Sequence, residues 1–303
     1  MKKVMRTLLA TMLLSVAPIH AHYKIVYLIS PPRSLSVAFL RMMQARGDFT
    51  IMHEPSNLAF NLQFAHKDTV KEWYQDTTLQ TTALVQQTVL HAAQTRPVFV
   101  KEMSFAFKNF LKDFPELMQD PDIHFVFLIR NPHHSVISFY KKQTSTIVDD
   151  KLSFLIGYQA CYELYQEICT HARNKPLILR TEDLYTNPRA TIEQFCAHVG
   201  IEFFEHALSW ENLGEDFTGA AWHETKKEQQ THHWHDAAII STHFTTPATY
   251  TVDADGKPTF AEIHNEQHLR LCKQAYEDNM VYYQLMLALA TFNNPHSCVK
   301  FKC

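Results

Sequence analysis

The chain has 303 residues, of which 46% are hydrophobic, 19% charged and 12% aromatic, a profile that accommodates one large domain with a sizeable core. A formal net charge of -3 and the lack of any long run of like charges exclude a general electrostatic attraction to nucleic acid, so an anion site has to be local. Six glycines and 13 scattered prolines exclude a flexible linker or a low-complexity segment.

Lys2, Lys3 and Arg6 precede an apolar run at residues 8–17, followed by Ile19-His20-Ala21 as a cleavage site. The pattern predicts a secretory signal over 1–21 and an exported protein; a cytoplasmic one follows if the true start lies downstream. The run is shorter than the about 20 residues that cross a bilayer, so no stable membrane span is expected. One domain is expected from 22 to 303.

Residues 23–30 form a short β-rich apolar run that ends at Pro31-Pro32, and from Ser34 the pattern turns helical through Leu35, Phe39, Leu40 and Met43 to Gly47. Strand-like runs follow at 49–53, 97–101, 124–130 and 177–180, separated by helical segments. Long helices are expected over 152–172 and 262–290. Asn187 followed by Pro188 marks another helix start, and Gly200 its end. Strands that alternate with helices predict an α/β fold, with a mostly parallel central sheet and helices on both faces in a three-layer sandwich. The polar, His-rich stretch at 216–257 reads as a lid-like insertion.

In such a sheet the ligand crevice lies beyond the carboxyl ends of the strands. The residues there are Arg33 and Ser34 after the first strand, His53 and Glu54 after the second, Lys101 and Glu102 after the third, and Arg130 and Asn131 after the fourth. Cations, hydroxyls and carboxylates on one edge make an anion site with a base beside it. The turn Pro32-Arg33-Ser34-Leu35-Ser36 sits between a strand and a helix, where backbone N–H groups from Arg33 through Leu35 and the helix dipole favour a phosphate. Arg33 adds a forked cation, and Ser34 and Ser36 add hydroxyls. The turn lacks the GxxxxGK[ST] pattern, which disfavours a magnesium-dependent ATPase or GTPase.

His223, His232, His233 and His235 lie close in sequence, yet no carboxylate or cysteine stands at ligand spacing from them, so no metal is expected. Cys161, Cys169 and Cys196 sit among apolar helical residues and are expected to be buried free thiols. The pairing of Cys272, Cys298 and Cys303 is open, with Cys298 and Cys303 able to close a small terminal loop.

Arg130-Asn131-Pro132 followed by Ser135, Ser138 and Tyr140 resembles the R-[ND]-P-x-x-[SD]-x-x-S-x-Y element of sulfotransferases that use 3′-phosphoadenosine-5′-phosphosulfate (PAPS). Glu182-Asp183-Leu184, with Asn187-Pro188, resembles the YEDL-x-x-NP element of the same family, Thr181 standing for its tyrosine. Pro32-Arg33-Ser34-Leu35-Ser36, His53-Glu54-Pro55 and His233-Trp234-His235-Asp236 are similar to elements of the bacterial sulfotransferase-like proteins. The resemblance implies a P-loop kinase-like scaffold and a sulfuryl transfer from PAPS to a hydroxyl or amine of a small-molecule or carbohydrate acceptor.

The same resemblance implies that Arg33, Ser34, Leu35 and Ser36 hold the phosphosulfate, that Arg130 and Ser138 hold the 3′-phosphate, and that Lys101 meets the bridging oxygen. The family's histidine base falls at Met103, so the base has to come from elsewhere. Glu54 is the first choice, expected to have a raised pKa in an apolar setting, with Glu102 and His53 behind it. Two alternatives stand beside this reading. One is a small-molecule kinase on a related scaffold; the other is a non-catalytic nucleotide- or carbohydrate-binding relic.

Overall fold

The computed structural model describes residues 22–64, 79–142, 151–212, 237, 240–245, 253 and 258–291. The expected signal, most of the lid-like insertion with its His cluster and Trp-His element, and the last two cysteines lie outside them.

Five strands, β1 (Ile25–Ser30), β2 (Thr50–His53), β3 (Val98–Met103), β4 (Ile123–Ile129) and β5 (Leu177–Arg180), form one sheet in the order β2-β3-β1-β4-β5. Every pairing is parallel. The central strands β1 and β4 are buried at every position, which is why they read as unbroken apolar runs: a parallel sheet is covered on both faces. Side chains alternate between two cores. Ile25, Tyr27 and Ile29 enter one, while Val26 and Leu28 enter the other.

Helices α1 (Ser36–Arg46) and α9 (Pro188–Val199) cover the second of these faces. There Phe39 lies 5.9 Å from Phe99 in a stack and meets the edge of Phe195 at 5.0 Å. The opposite face is covered by α2 (Pro55–Phe64), α3 (Thr82–Ala93), α4 (Ser104–Asp113), α5 (Pro132–Lys142), α6 (Leu152–Ile156), α7 (Tyr158–His171) and α10 (Glu266–Thr291). Between β5 and α9 lies the short α8 (Thr181–Thr186). The Asn187 side chain accepts from Ala190 N, Pro188 opens α9, and Gly200 closes it at φ 65°. These are the start and stop that the sequence indicates.

Where one helix is expected over 152–172 there are two, because Gly157 adopts φ 77° and separates α6 from α7. The reason is a close approach. A Cβ on Gly157 would stand 2.8 Å from Ser104 Oγ, and that hydroxyl donates to Gly157 O at 2.8 Å. The break places Tyr158 at the first turn of α7.

Cys161, Cys196 and Cys272 are buried free thiols. Cys169 is disulfide-bonded, not free, to a partner outside the described residues. Cys161 is buried in the core, whereas Cys169 sits half-buried at its rim. No helix among the described residues is long and apolar enough to cross a membrane.

Candidate active site at the carboxyl edge of the sheet

The loop between β1 and α1 carries two of the three non-glycine residues with positive φ among the described residues, Arg33 at 63° and Leu35 at 58°. Side chains of this type rarely adopt that region, and such strain concentrates at functional sites. Leu35 occupies the N-cap of α1, makes no side-chain cap bond, and leaves the first amides of the helix without one. Open amides at a helix start, with no acidic residue in the first turn, favour an anion. Ser34 is fully buried and its Oγ has no hydrogen-bond partner. A buried hydroxyl without a partner costs stability, and a phosphate or sulfate oxygen at the start of α1 would satisfy it. Ser36 lies one residue into the helix and is buried.

Helix α5 and the ends of β4 and β5 fasten this loop. Arg33 Nε donates to Ser138 Oγ on α5 at 3.0 Å, and Arg130 Nη1, from the end of β4, donates to Arg33 O at 2.7 Å. Thr181 Oγ1, from the end of β5, donates to Ser34 O at 2.9 Å. Arg33, Ser34, Arg130 and Ser138, expected to share one ligand, are thus brought together. Two contributors went unrecognised. Thr181 differs from the tyrosine that the resemblance leads one to expect there. Tyr158 uses its hydroxyl to accept from Arg130 N at 3.0 Å and to donate to Arg130 O. Only its position after Gly157 offered a signal for that role.

Glu54, the third non-glycine residue with positive φ at 48°, follows β2. His53 is in register with Lys101 of β3. Glu54 Oε1 pairs with Lys101 Nζ and stands 3.3 Å from His53 Nε2. All three side chains are less than a tenth exposed. Burial opposes ionisation of Glu54, but the charge of Lys101, with His53 beside it, outweighs burial and holds the carboxyl far below the usual carboxylate range. This reverses the expectation of a raised pKa at Glu54.

The raised carboxyl is Glu102, which burial pushes up to about 8 against two hydrogen bonds from Ser56. Glu102 is wholly buried and, by strand alternation, lies on the face of β3 opposite Lys101, with Val98 and Val100. Met103, at the position of the absent histidine, offers no proton acceptor.

Strand order sets the layout. From β2 to β3 to β1 are two steps of about 4.8 Å, so Glu54 lies about 10 Å from the anion loop, with Lys101 between them. Arg130 lies one step beyond the loop on the other side. The arrangement therefore runs along the sheet edge from the arginines at the loop and β4 to the Lys101–Glu54 pair. Among the described residues no group of three or more His, Cys, Asp or Glu side chains is placed to hold a metal ion.

Three solved sulfotransferase structures align with low similarity. The domain from the curacin biosynthetic pathway is 15% identical, with 83% of this chain and 97% of that chain covered at a TM-score of 0.44. The domain from the Synechococcus PCC 7002 olefin synthase is 16% identical, with 85% and 96% covered at 0.44. Mouse sulfotransferase SULT7A1 complexed with PAP is 9% identical, with 89% of both chains covered at 0.45. A branched-chain-amino-acid aminotransferase-like protein 2 of Arabidopsis thaliana is 26% identical over 234 residues, which are 75% of this chain and 37% of that relative. The chain thus spans little more than a third of that relative's length. The family model described as the sulfotransferase domain matches residues 23–258, most of the chain, and the protein belongs to that family.

Proposed function

We propose that the protein transfers a sulfuryl group from PAPS to a hydroxyl or amine of a small-molecule or carbohydrate acceptor. The observation that carries this reading is the uncapped start of α1, fastened to Arg33, Arg130 and Ser138 by hydrogen bonds. Two arginines and open amides suit a ligand with a phosphate at each end of a nucleoside.

In this reading Ser34, Ser36 and the loop amides, Leu35 included, hold the phosphosulfate, and Arg130 with Ser138 holds the 3′-phosphate. The acceptor oxygen or nitrogen forms a bond to sulfur while the bond from sulfur to the bridging oxygen breaks. The electron pair leaves on the phosphate of 3′-phosphoadenosine-5′-phosphate (PAP), and the acceptor proton passes to Glu54. Lys101 and Arg33 stabilise the charge gathering on the leaving oxygen. For Lys101 to do so it turns from Glu54 toward the donor, which frees the carboxylate for the acceptor proton. His53 keeps Glu54 oriented.

The disulfide at Cys169 supports export to an oxidising compartment, in keeping with the basic and apolar start of the sequence.

Calorimetric titration with PAP, with ATP and magnesium as control, tests the donor site. Selective binding of PAP is expected; preference for ATP, or binding of neither, would overturn the assignment.

A further inference from the structure

Glu102 is a carboxyl that the proposed reaction does not use. It is 0% exposed, and side-chain alternation along β3 puts it on the face opposite Lys101, with Val100 and the core beneath α2 and α4. A carboxyl there is costly, and an apolar side chain would be buried more cheaply. Its two oxygens both engage one residue: Oε1 accepts from Ser56 N at 3.1 Å and Oε2 lies 2.7 Å from Ser56 Oγ. Ser56 is the second residue of α2 and stands two positions after Glu54.

Glu54 needs such a restraint. Its φ of 48° is unfavourable for a residue with a side chain, and persists only where the surroundings over-determine it. On the strand side Glu54 N donates to Lys101 O at 2.7 Å, and on the helix side Asn57 N donates to Glu54 O at 3.0 Å. Both bonds hold the turn to itself and to β3. The bonds from Ser56 to Glu102 fix the first turn of α2 to the sheet from below.

We propose that Glu102 is a positioning residue for Glu54: by gripping Ser56 it pins the start of α2 and holds the Glu54 carboxylate against Lys101 and His53. The inference rests on the reading of Glu54 as the base. At neutral pH Glu102 is largely the neutral acid, with one oxygen accepting from the Ser56 amide and its hydroxyl shared with Ser56 Oγ. Glutamine keeps a carbonyl acceptor for the Ser56 amide and an N–H donor for Ser56 Oγ, whereas methionine, of similar length, offers neither.

The test follows the titration of the Glu54 carboxyl by NMR of the full-length protein labelled with ¹³C at glutamate carboxyls, the signal being assigned by its loss in Glu54→Gln. In the wild type Glu54 is expected to stay ionised down through the ordinary range near about 4.3. Ser56→Ala and Glu102→Met are expected to raise its midpoint by about one unit or more, while Ser56→Thr and Glu102→Gln leave it as in the wild type. Lys101→Met removes the pairing directly and serves as the control. Cooperative melting of each variant separates loss of positioning from loss of fold, and Ser56→Ala carries the test if Glu102→Met does not fold. An unmoved Glu54 in folded Ser56→Ala and Glu102→Met, with a freed one in Lys101→Met, overturns the inference and leaves the base in place. Titration of wild-type Glu54 in the ordinary range would remove the ion pair and the inference with it, while an ionised carboxylate of ordinary pKa would still serve as the base.

Discussion

At the scale of single residues, Arg33 joins a strained backbone, φ 63°, to a guanidinium bonded to Ser138, and in the proposed reading its charge serves the phosphosulfate. Its side chain is half-buried and packs in no core, so Arg33→Ala is expected to melt like the wild type. Charge-assisted hydrogen bonds contribute about 1.5–3 kcal/mol, and tenfold in affinity corresponds to about 1.4 kcal/mol. PAP binding by Arg33→Ala should therefore weaken roughly 10- to 100-fold in a calorimetric titration; undiminished affinity would remove the loop from the site. Protonation gives a second expectation. Folded Glu102 keeps its proton up to about pH 8, where an unfolded glutamate has lost it above about 4.3. The folded chain thus holds more protons across that window, and this group's contribution to stability falls as pH rises through it. Glu54 runs the other way: its contribution is present above the ordinary carboxylate range and is lost on acidification below it. His124, pushed down to about 4 by burial and by Lys24, likewise contributes stability that is lost as pH falls from its unfolded value toward about 4. Glu102→Gln removes only the first of these effects. Urea midpoints at about pH 5 and about pH 8 should show the variant gaining on the wild type as pH rises; a constant difference would contradict the raised pKa.

At the scale of elements, the break at Gly157 decides where α4, α7 and Arg130 meet. Gly157→Ala sets a Cβ at 2.8 Å from Ser104 Oγ on a residue with φ 77°, and a destabilisation of about 1–3 kcal/mol is expected from overpacking and strain. Urea unfolding measures it, and a neutral substitution would show that α6 and α7 can join as one helix. Tyr158→Phe removes the hydroxyl that satisfies both backbone groups of Arg130. Leaving buried groups without partners costs about 1–3 kcal/mol, so a lower melting temperature and weaker PAP binding are expected together. These two elements also show what the sequence made legible. The five strands could be read because burial on both faces leaves continuous apolar runs, and α9 because Asn187, Pro188 and Gly200 mark its ends. The split at Gly157 could not be read, since the helical period continues across it and the cause is Ser104, a residue 53 positions away. Arg33, Arg130 and Ser138 were legible as a set through their motifs. The charge of Glu54 was not, because it depends on a lysine that only the pairing of β2 with β3 brings near. Cys169 shows the same limit: position in a helical pattern does not separate a core thiol from one at the rim.

At the scale of the whole molecule, the loop after β1 gathers residues from most of the sheet. Arg33 and Ser34 follow β1, Arg130 follows β4, Ser138 lies on α5 and Thr181 opens α8 after β5, while the two cores lie on either side of the same strands. Unfolding any of these strands disperses the site, so a ligand bound there is linked to global stability and not to a local loop. A ligand at 100 times its dissociation constant adds about 2.7 kcal/mol. Because Arg130 and the loop lie on adjacent strands, the full effect requires anionic groups at both. Saturating PAP should therefore raise the melting temperature more than an equal concentration of adenosine 5′-phosphosulfate, which lacks the 3′-phosphate. Ser138→Ala removes the acceptor of the Arg33 bond and, in the proposed reading, a donor to the 3′-phosphate. In that variant the advantage of PAP should shrink while the response to adenosine 5′-phosphosulfate stays closer to that of the wild type. Equal losses for both ligands would instead place Ser138 at the phosphosulfate end of the site, and would move the 3′-phosphate away from the Arg130 side of the loop.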